Sequence, residues 1–199
     1  MKIIFISQRL DKFGKHKELR DNIDTRFSFF LKKTGLTPIL IPNNSNQLRL
    51  IFKKIKPNGI ILSPGGNPKI KDERHKVENM LINYSKKNSI PLLGICRGAQ
   101  VINLFFGGKI KKINNHVRKN HYIFGKIINN KVKLKSKCFH EYGIKENILG
   151  KNLKVLAFSK DGSIECFKHY KKKIMGIMWH PERFKNFRKF EINLIKNFF

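Results

Sequence analysis

Short apolar runs alternate with longer segments whose apolar residues recur every three or four positions, and this rhythm fills the first half of the chain. Met1-Lys2-Ile3-Ile4-Phe5-Ile6-Ser7 reads as an opening strand. A helix is expected over 22–33, stopped by Gly35, then a strand at 37–41 and a helix near 47–54. A strand at 59–62, a helix over 72–87, a strand over 91–95 and a helix over 98–106 continue the series, which Gly107-Gly108 ends. Strand and helix in turn predict an α/β fold, a three-layer sandwich with a mostly parallel central sheet and right-handed crossovers. From Lys109 the pattern changes to short antiparallel strands, with Asn129-Asn130 and Asp161-Gly162 as hairpin-type turns. A last helix is expected over about 185–199. No repeat, linker or low-complexity stretch interrupts the series, so one domain over 1–199 is expected.

Three breaks in the pattern carry chemistry. The run Pro91-Leu92-Leu93 ends at Gly94-Ile95-Cys96-Arg97-Gly98-Ala99-Gln100, which sets a cysteine between a strand and a helix. Gly-x-Cys-x-Gly is the sulfur counterpart of the Gly-x-Ser-x-Gly nucleophile elbow, where glycines let strand and helix approach closely. A helix N-terminus behind Cys96 and the charge of Arg97 both favour thiolate over thiol. A cysteine nucleophile needs a base, and the base a partner that orients it. The apolar run from Lys173 to Trp179 stops at His180-Pro181-Glu182-Arg183, because Pro181 cannot continue a central strand. His180 therefore stands at a strand end, with Glu182 two residues on. Upstream, Ile60-Ile61-Leu62 opens into Ser63-Pro64-Gly65-Gly66-Asn67-Pro68, a turn able to present a backbone N–H as an oxyanion hole requires.

Together, Gly65-Gly66, Gly94 to Gln100 and His180-Pro181-Glu182 resemble the three signatures of the class I glutamine amidotransferase superfamily, whose fold is flavodoxin-like. Leu93 to Gly98 with Gly176 to Arg183 is most similar to its free-standing γ-glutamyl hydrolase branch. Ile6-Ser7-Gln8-Arg9 and Asp161-Gly162-Ser163-Ile164-Glu165 resemble, more narrowly, small hydrolases of surface-polysaccharide loci. The resemblance implies Cys96 as nucleophile, His180 as base and acid, and Glu182 as the orienting carboxylate. It also implies an oxyanion hole from Gly65, Gly66 and Arg97, with Gln100 holding the glutamyl group. Lys137 to Gly143 matches a substrate-touching segment in part, which makes His140 a candidate substrate contact. The implied reaction is hydrolysis of a γ-glutamyl amide through a glutamyl thioester, on a γ-glutamyl amine or a nucleotide phosphoramidate of the γ-glutamyl-CDP-amidate kind. The alternative is a glutaminase subunit passing ammonia to a partner synthase. Neither needs a metal or an organic cofactor.

Composition changes the picture little. A net charge of +30, from 43 Lys and Arg against 13 Asp and Glu, would suit nucleic acid. The lysines are scattered among Asn, Ile and Phe in every segment and no nucleic-acid motif appears, so no such partner is expected. A positive field would still steer small anions inward. The apolar runs are too short to span a bilayer and the N-terminus lacks a secretory signal, so a cytoplasmic protein without a membrane partner is expected, alone or as a homo-oligomer. Three cysteines, Cys96, Cys138 and Cys166, are an odd count without metal-ligand spacing, which fits a reducing compartment. Gln8, Arg9, Glu18, Arg20, Asp21 and Asp24 fit either contacts to a leaving group or capping and surface polarity, and Glu165 either braces a hairpin or touches ligand.

Overall fold

The structure is a computed structural model that describes residues 2–127 and 130–199. The chain forms two compact units, Met1–Leu92 with Pro181–Phe199, and Leu93–His180. In chain order the first holds β1 (Lys2–Ser7), β2 (Arg9–Phe13), β3 (Glu18–Asn22), α1 (Thr25–Thr34), β4 (Leu36–Ile41), α2 (Ser45–Lys54), β5 (Gly59–Leu62) and α3 (Glu73–Asn88). The second holds β6 (Leu92–Ile95), α4 (Arg97–Phe105), β7 (Lys111–Lys112), β8 (Val117–Ile127), β9 (Asn130–Phe139), β10 (Tyr142–Gly143), β11 (Leu153–Ser159), β12 (Ile164–His169) and β13 (Ile174–Ile177). The chain returns to the first unit through a 3₁₀ turn, Pro181–Arg183, and ends in α5 (Lys189–Phe198).

In the first unit β1 pairs in parallel with β4 on one side and β5 on the other. Ile4, Phe5 and Ile6 are all fully buried. Successive strand side chains point to opposite faces, so three buried neighbours mean that both faces of β1 are covered. Helix α3 packs on β1 and β5 and against α2, while α1 packs on β4 and against α5. Three of these helices start where the sequence offers an oxygen to free N–H groups: Asp24 for α1, Asn44 for α2 and Asp72 for α3. Gly35 ends α1 in a left-handed conformation at φ 71°. The polar stretch expected to lead into the first helix is instead an antiparallel hairpin of β2 and β3, running from Arg9 opposite Asn22 to Phe13 opposite Glu18. That pairing delays α1 to Thr25. Helix α5 starts at Lys189, past the expected start at 185.

The second unit is a sheet in the order β6-β13-β12-β11-β8-β9, its last five strands joined antiparallel. These strands are longer than the pattern suggested: β8 has 11 residues and β9 has 10. The expected turn at Asn129-Asn130 involves Asn129, which lies outside the described residues. The turn at Asp161-Gly162 is present, closed by Gly162 N–H donating to Ser159 O at 2.8 Å. Along β9, Lys131, Lys133, Lys135 and Lys137 are exposed while Val132, Ser136 and Cys138 are buried. A row of lysines on the last strand discourages pairing with another chain. Among the described residues, no helix is long and apolar enough to cross a membrane.

Candidate active site

Cys96 stands between β6 and α4 with φ 50° and ψ −104°, a conformation that a non-glycine residue adopts at a cost of about 1–3 kcal/mol. Two close approaches hold it there. A Cβ on Gly94 would lie 2.5 Å from the Gly98 carbonyl carbon, so only glycine lets the helix sit this near the strand. A Cβ on Gly176 of β13 would lie 2.9 Å from the Ala99 side chain and closer still to Phe167. The Cys96 N–H donates to Ile177 O of β13 at 2.7 Å, which ties the bend to the strand that leads into His180. Unlike α1, α2 and α3, α4 has no side chain capping its N-terminus. Arg97, the first residue of α4, is buried directly after Cys96.

His180 is buried three residues beyond Ile177, with the Phe139 ring edge-on at 5.4 Å between centroids. Gln100, also buried, donates its Nε2 to Tyr142 O at 2.7 Å. His140 Nδ1 lies 3.0 Å from the same oxygen. A carbonyl only accepts, so His140 carries its proton on Nδ1. The second unit thus brings Cys96, Arg97, Gln100, His140 and His180 onto the same few elements.

In the first unit, Glu182 is buried in the 3₁₀ turn that packs on α1, with Arg183 Nε 3.6 Å from its Oε1. Gly65 and Gly66 both have φ above +80°, so the turn needs glycine at each place. Arg74 of α3 holds this turn: Nη1 donates to Gly65 O at 2.7 Å, and Nη2 donates to Ser63 O at 2.9 Å. Its Nε pairs with Glu78 Oε1 at 2.9 Å, both side chains almost wholly buried. Ser7 Oγ donates to Glu78 Oε1 at 3.3 Å and accepts from Ser63 N–H at 2.9 Å. Sequence reasoning passed over Arg74 and Glu78; their four-residue spacing on a helix was the available signal.

Comparison with known proteins then decides the family. The model of the glutamine amidotransferase class-I family matches residues 21–199. The chain belongs to the class-I glutamine amidotransferase family. It is 33% identical over 189 residues to γ-glutamyl-CDP-amidate hydrolase of Campylobacter jejuni, covering 90% of each chain. It is 36% identical over 160 residues to a glutamine-hydrolyzing GMP synthase subunit of Methanococcus vannielii, covering 76% of this chain and 78% of that one. A crystal structure of a putative GMP synthase subunit from Thermoplasma acidophilum superposes with a TM-score of 0.70 at 22% identity, over 100% of this chain and 92% of that one. This last likeness bears on the fold, an α/β fold of the class-I glutamine amidotransferase kind.

In this member of the family the early polar residues have structural partners. Asp24 caps α1 and pairs with Arg26, which holds its carboxyl down at about 2. Asp21 binds the side chain of Asn43 at 2.7 Å, Glu18 pairs with Arg20 at 2.7 Å, and Gln8 donates to Ile41 O at 3.2 Å. Arg9 packs along Gly65 and pairs with Asp11 at 3.0 Å.

The largest departure from the sequence reading surrounds Glu165. Its Oε1 lies 3.2 Å from His121 Nε2, 3.6 Å from His116 Nδ1 and 3.8 Å from His140 Nε2, and Cys138 Sγ lies 2.9 Å from His121 Nε2. Burial raises the pKa of Glu165 and of the Cys138 and Cys166 thiols, and the Glu165 charge pushes both thiols further up. Burial lowers His116, with His121 adding to the effect, and pushes His140 down to about 3. Cys138 was read as one of an odd set of cysteines and as part of the segment from Lys137 to Gly143 that matches a substrate-touching segment in part. Its partners come from positions 116, 121 and 165, which no short motif joins.

Proposed function

We propose that this chain is a cysteine-dependent hydrolase that cleaves γ-glutamyl amides and releases glutamate through a glutamyl thioester, acting as one catalytic domain over 1–199. The observation that carries the reading is the strained backbone of Cys96, held by glycine contacts at the start of an uncapped helix and hydrogen-bonded to the strand that leads to His180. Backbone strain of this kind persists where function needs it.

In this reading His180 takes the thiol proton and the Cys96 thiolate attacks the γ-carbonyl. The oxyanion is met by N–H groups of Arg97 and of the Gly65-Gly66 turn, each donor worth about 3 kcal/mol of transition-state stabilisation. Protonated His180, oriented by Glu182, gives its proton to the departing nitrogen. Water, losing a proton to the same imidazole, then attacks the thioester, frees glutamate and returns the proton to sulfur. Two lower barriers replace one high barrier. Gln100 and His140 border the glutamyl group, and the steps use only protein groups.

Similarity to the Campylobacter hydrolase over nine-tenths of both chains supports a γ-glutamyl nucleotide amidate as substrate. A place in surface-polysaccharide metabolism, in the cytoplasm, belongs to the same proposal. The net charge of +30 suits an anionic substrate. Purified protein is expected to release glutamate from a γ-glutamyl nucleotide amidate with no other protein present. Absence of turnover across a panel of γ-glutamyl amines and nucleotide amidates would overturn the reading. The similarity to the Methanococcus GMP synthase subunit favours a second reading, a glutaminase that delivers ammonia to a synthase. Glutamine hydrolysis that appears only when a partner synthase is added would select it.

A further inference from the structure

We propose that His116, Cys138, His140 and Glu165 form a binding site for one divalent transition-metal ion, with Zn²⁺ the best match to the donor set. The site shares His140 with the proposed glutamyl contact but takes no ligand from Cys96 or His180. One ligand atom from each residue lies within 4.8 Å of all the others, and all four residues are buried. The edge of a zinc tetrahedron built on metal–ligand distances of 2.0–2.3 Å is about 3.5 Å, so small side-chain rotations close the site.

The protonation pattern points to a cation. His116 Nε2 lies 3.2 Å from the Asp161 carboxylate and His140 Nδ1 lies 3.0 Å from Tyr142 O. Both partners accept, so in each neutral ring the proton sits on the outward nitrogen and the inward nitrogen carries a lone pair. Among the described residues, the inward atoms His116 Nδ1 and His140 Nε2 have no hydrogen-bond partner, and neither has Oε2 of Glu165, while Oε1 has His121 Nε2 at 3.2 Å. Buried acceptor atoms of His116, His140 and Glu165 thus face one another, and leaving them unsatisfied is costly. A divalent ion satisfies them together. With Cys138 as thiolate and Glu165 as carboxylate, two negative charges cancel the two positive charges of the metal, so the buried site is neutral. The thiol proton leaves to solvent as the sulfur–metal bond forms.

The surroundings are those of a metal centre. Asp161 and the Tyr142 carbonyl fix the two imidazoles from behind, as such partners do for metal-bound histidines. Asp161 is held in turn by Ser159 Oγ at 2.6 Å and Ser163 Oγ at 2.9 Å. His121, beside the Cys138 sulfur, is placed to hydrogen-bond the thiolate. A cavity of about 430 Å³, lined by His116, His121 and Asp161 among others, supplies an entry path. The ion would clamp the start of β8, the end of β9 and β12. Phe139, between two of the ligands, rests against His180, so the clamp braces a contact of the candidate base.

The test uses the full chain carrying Cys96→Ser, so that the candidate nucleophile does not compete. After chelator treatment the protein is titrated with zinc sulfate against a chromophoric chelator and, separately, with Co²⁺. One equivalent of Zn²⁺ is expected, with a Co²⁺ spectrum that shows four-coordination and a thiolate-to-metal band. Cys138→Ser should remove that band, and Glu165→Gln should weaken zinc binding at least tenfold. No stoichiometric zinc, or a Co²⁺ spectrum without thiolate character, overturns the proposal. So does zinc affinity unchanged by both substitutions. The Co²⁺ spectrum of the Cys96→Ser protein needs neither ligand variant, so it decides the matter even if those variants do not fold.

Discussion

Cys96 and Cys138 are both buried thiols in the same unit, and they differ in what surrounds them. At Cys96 the backbone is unusual: a left-handed φ, glycine contacts that only a bare Cα permits, and a helix that starts without a side-chain cap. At Cys138 the backbone is ordinary strand, and everything unusual comes from side chains, with His121 at 2.9 Å and a carboxylate and two more imidazoles beyond. A nucleophile of the kind proposed for Cys96 is made by aiming a main chain, so its marks are local in sequence. A ligand cluster is made by bringing distant side chains together, so its marks are not.

The strongest way to break this contrast is Cys96→Ala. It should lower kcat/KM by about 10⁴-fold or more, measured as glutamate release, because the remaining groups act as a set only around the nucleophile. Retained turnover would mean that another group does the chemistry. Next comes Arg74→Met. It leaves Glu78 buried without its cation and frees the Gly65 turn, and should cost about 3–5 kcal/mol in denaturant unfolding. A loss under about 1 kcal/mol would show that the network does not hold that turn. Gly94→Ala follows, at about 3 kcal/mol, since its methyl would press on helix backbone that cannot yield. The smallest effect gives the scale for an ordinary helix start. Asp24→Ala removes the α1 cap and should cost about 1 kcal/mol at neutral pH. Because Asp24 titrates lower in the folded chain, its contribution is whole above the unfolded value of 3.8 and fades as pH falls through about 2. The gap between the two proteins should narrow over that window in acid-denaturation curves.

The same contrast sets how much the sequence reveals. The strand at 59–62, the helix with Asp72 at its start and Gly35 as a stop all lie where local signals put them, because caps and apolar runs act over a few residues. The elbow was legible for the same reason. The β2–β3 hairpin was not, since its strands are largely exposed and carry little apolar alternation. The length of β9 was legible in principle: lysine at every second position from 131 to 137 is a period-two signal, obscured by lysine elsewhere in the chain. The Glu165 cluster was out of reach, because it depends on pairing that sets Lys119 opposite Cys138 and His121 opposite Ser136. Only a folded register brings those residues to one place.

The most direct measurement is the mass of the protein caught during turnover. Wild-type chain quenched in acid while it cleaves a γ-glutamyl substrate should carry one glutamyl group, mapped by peptide fragmentation to Cys96. Turnover with no such adduct, or an adduct on Cys138 instead, would contradict the account.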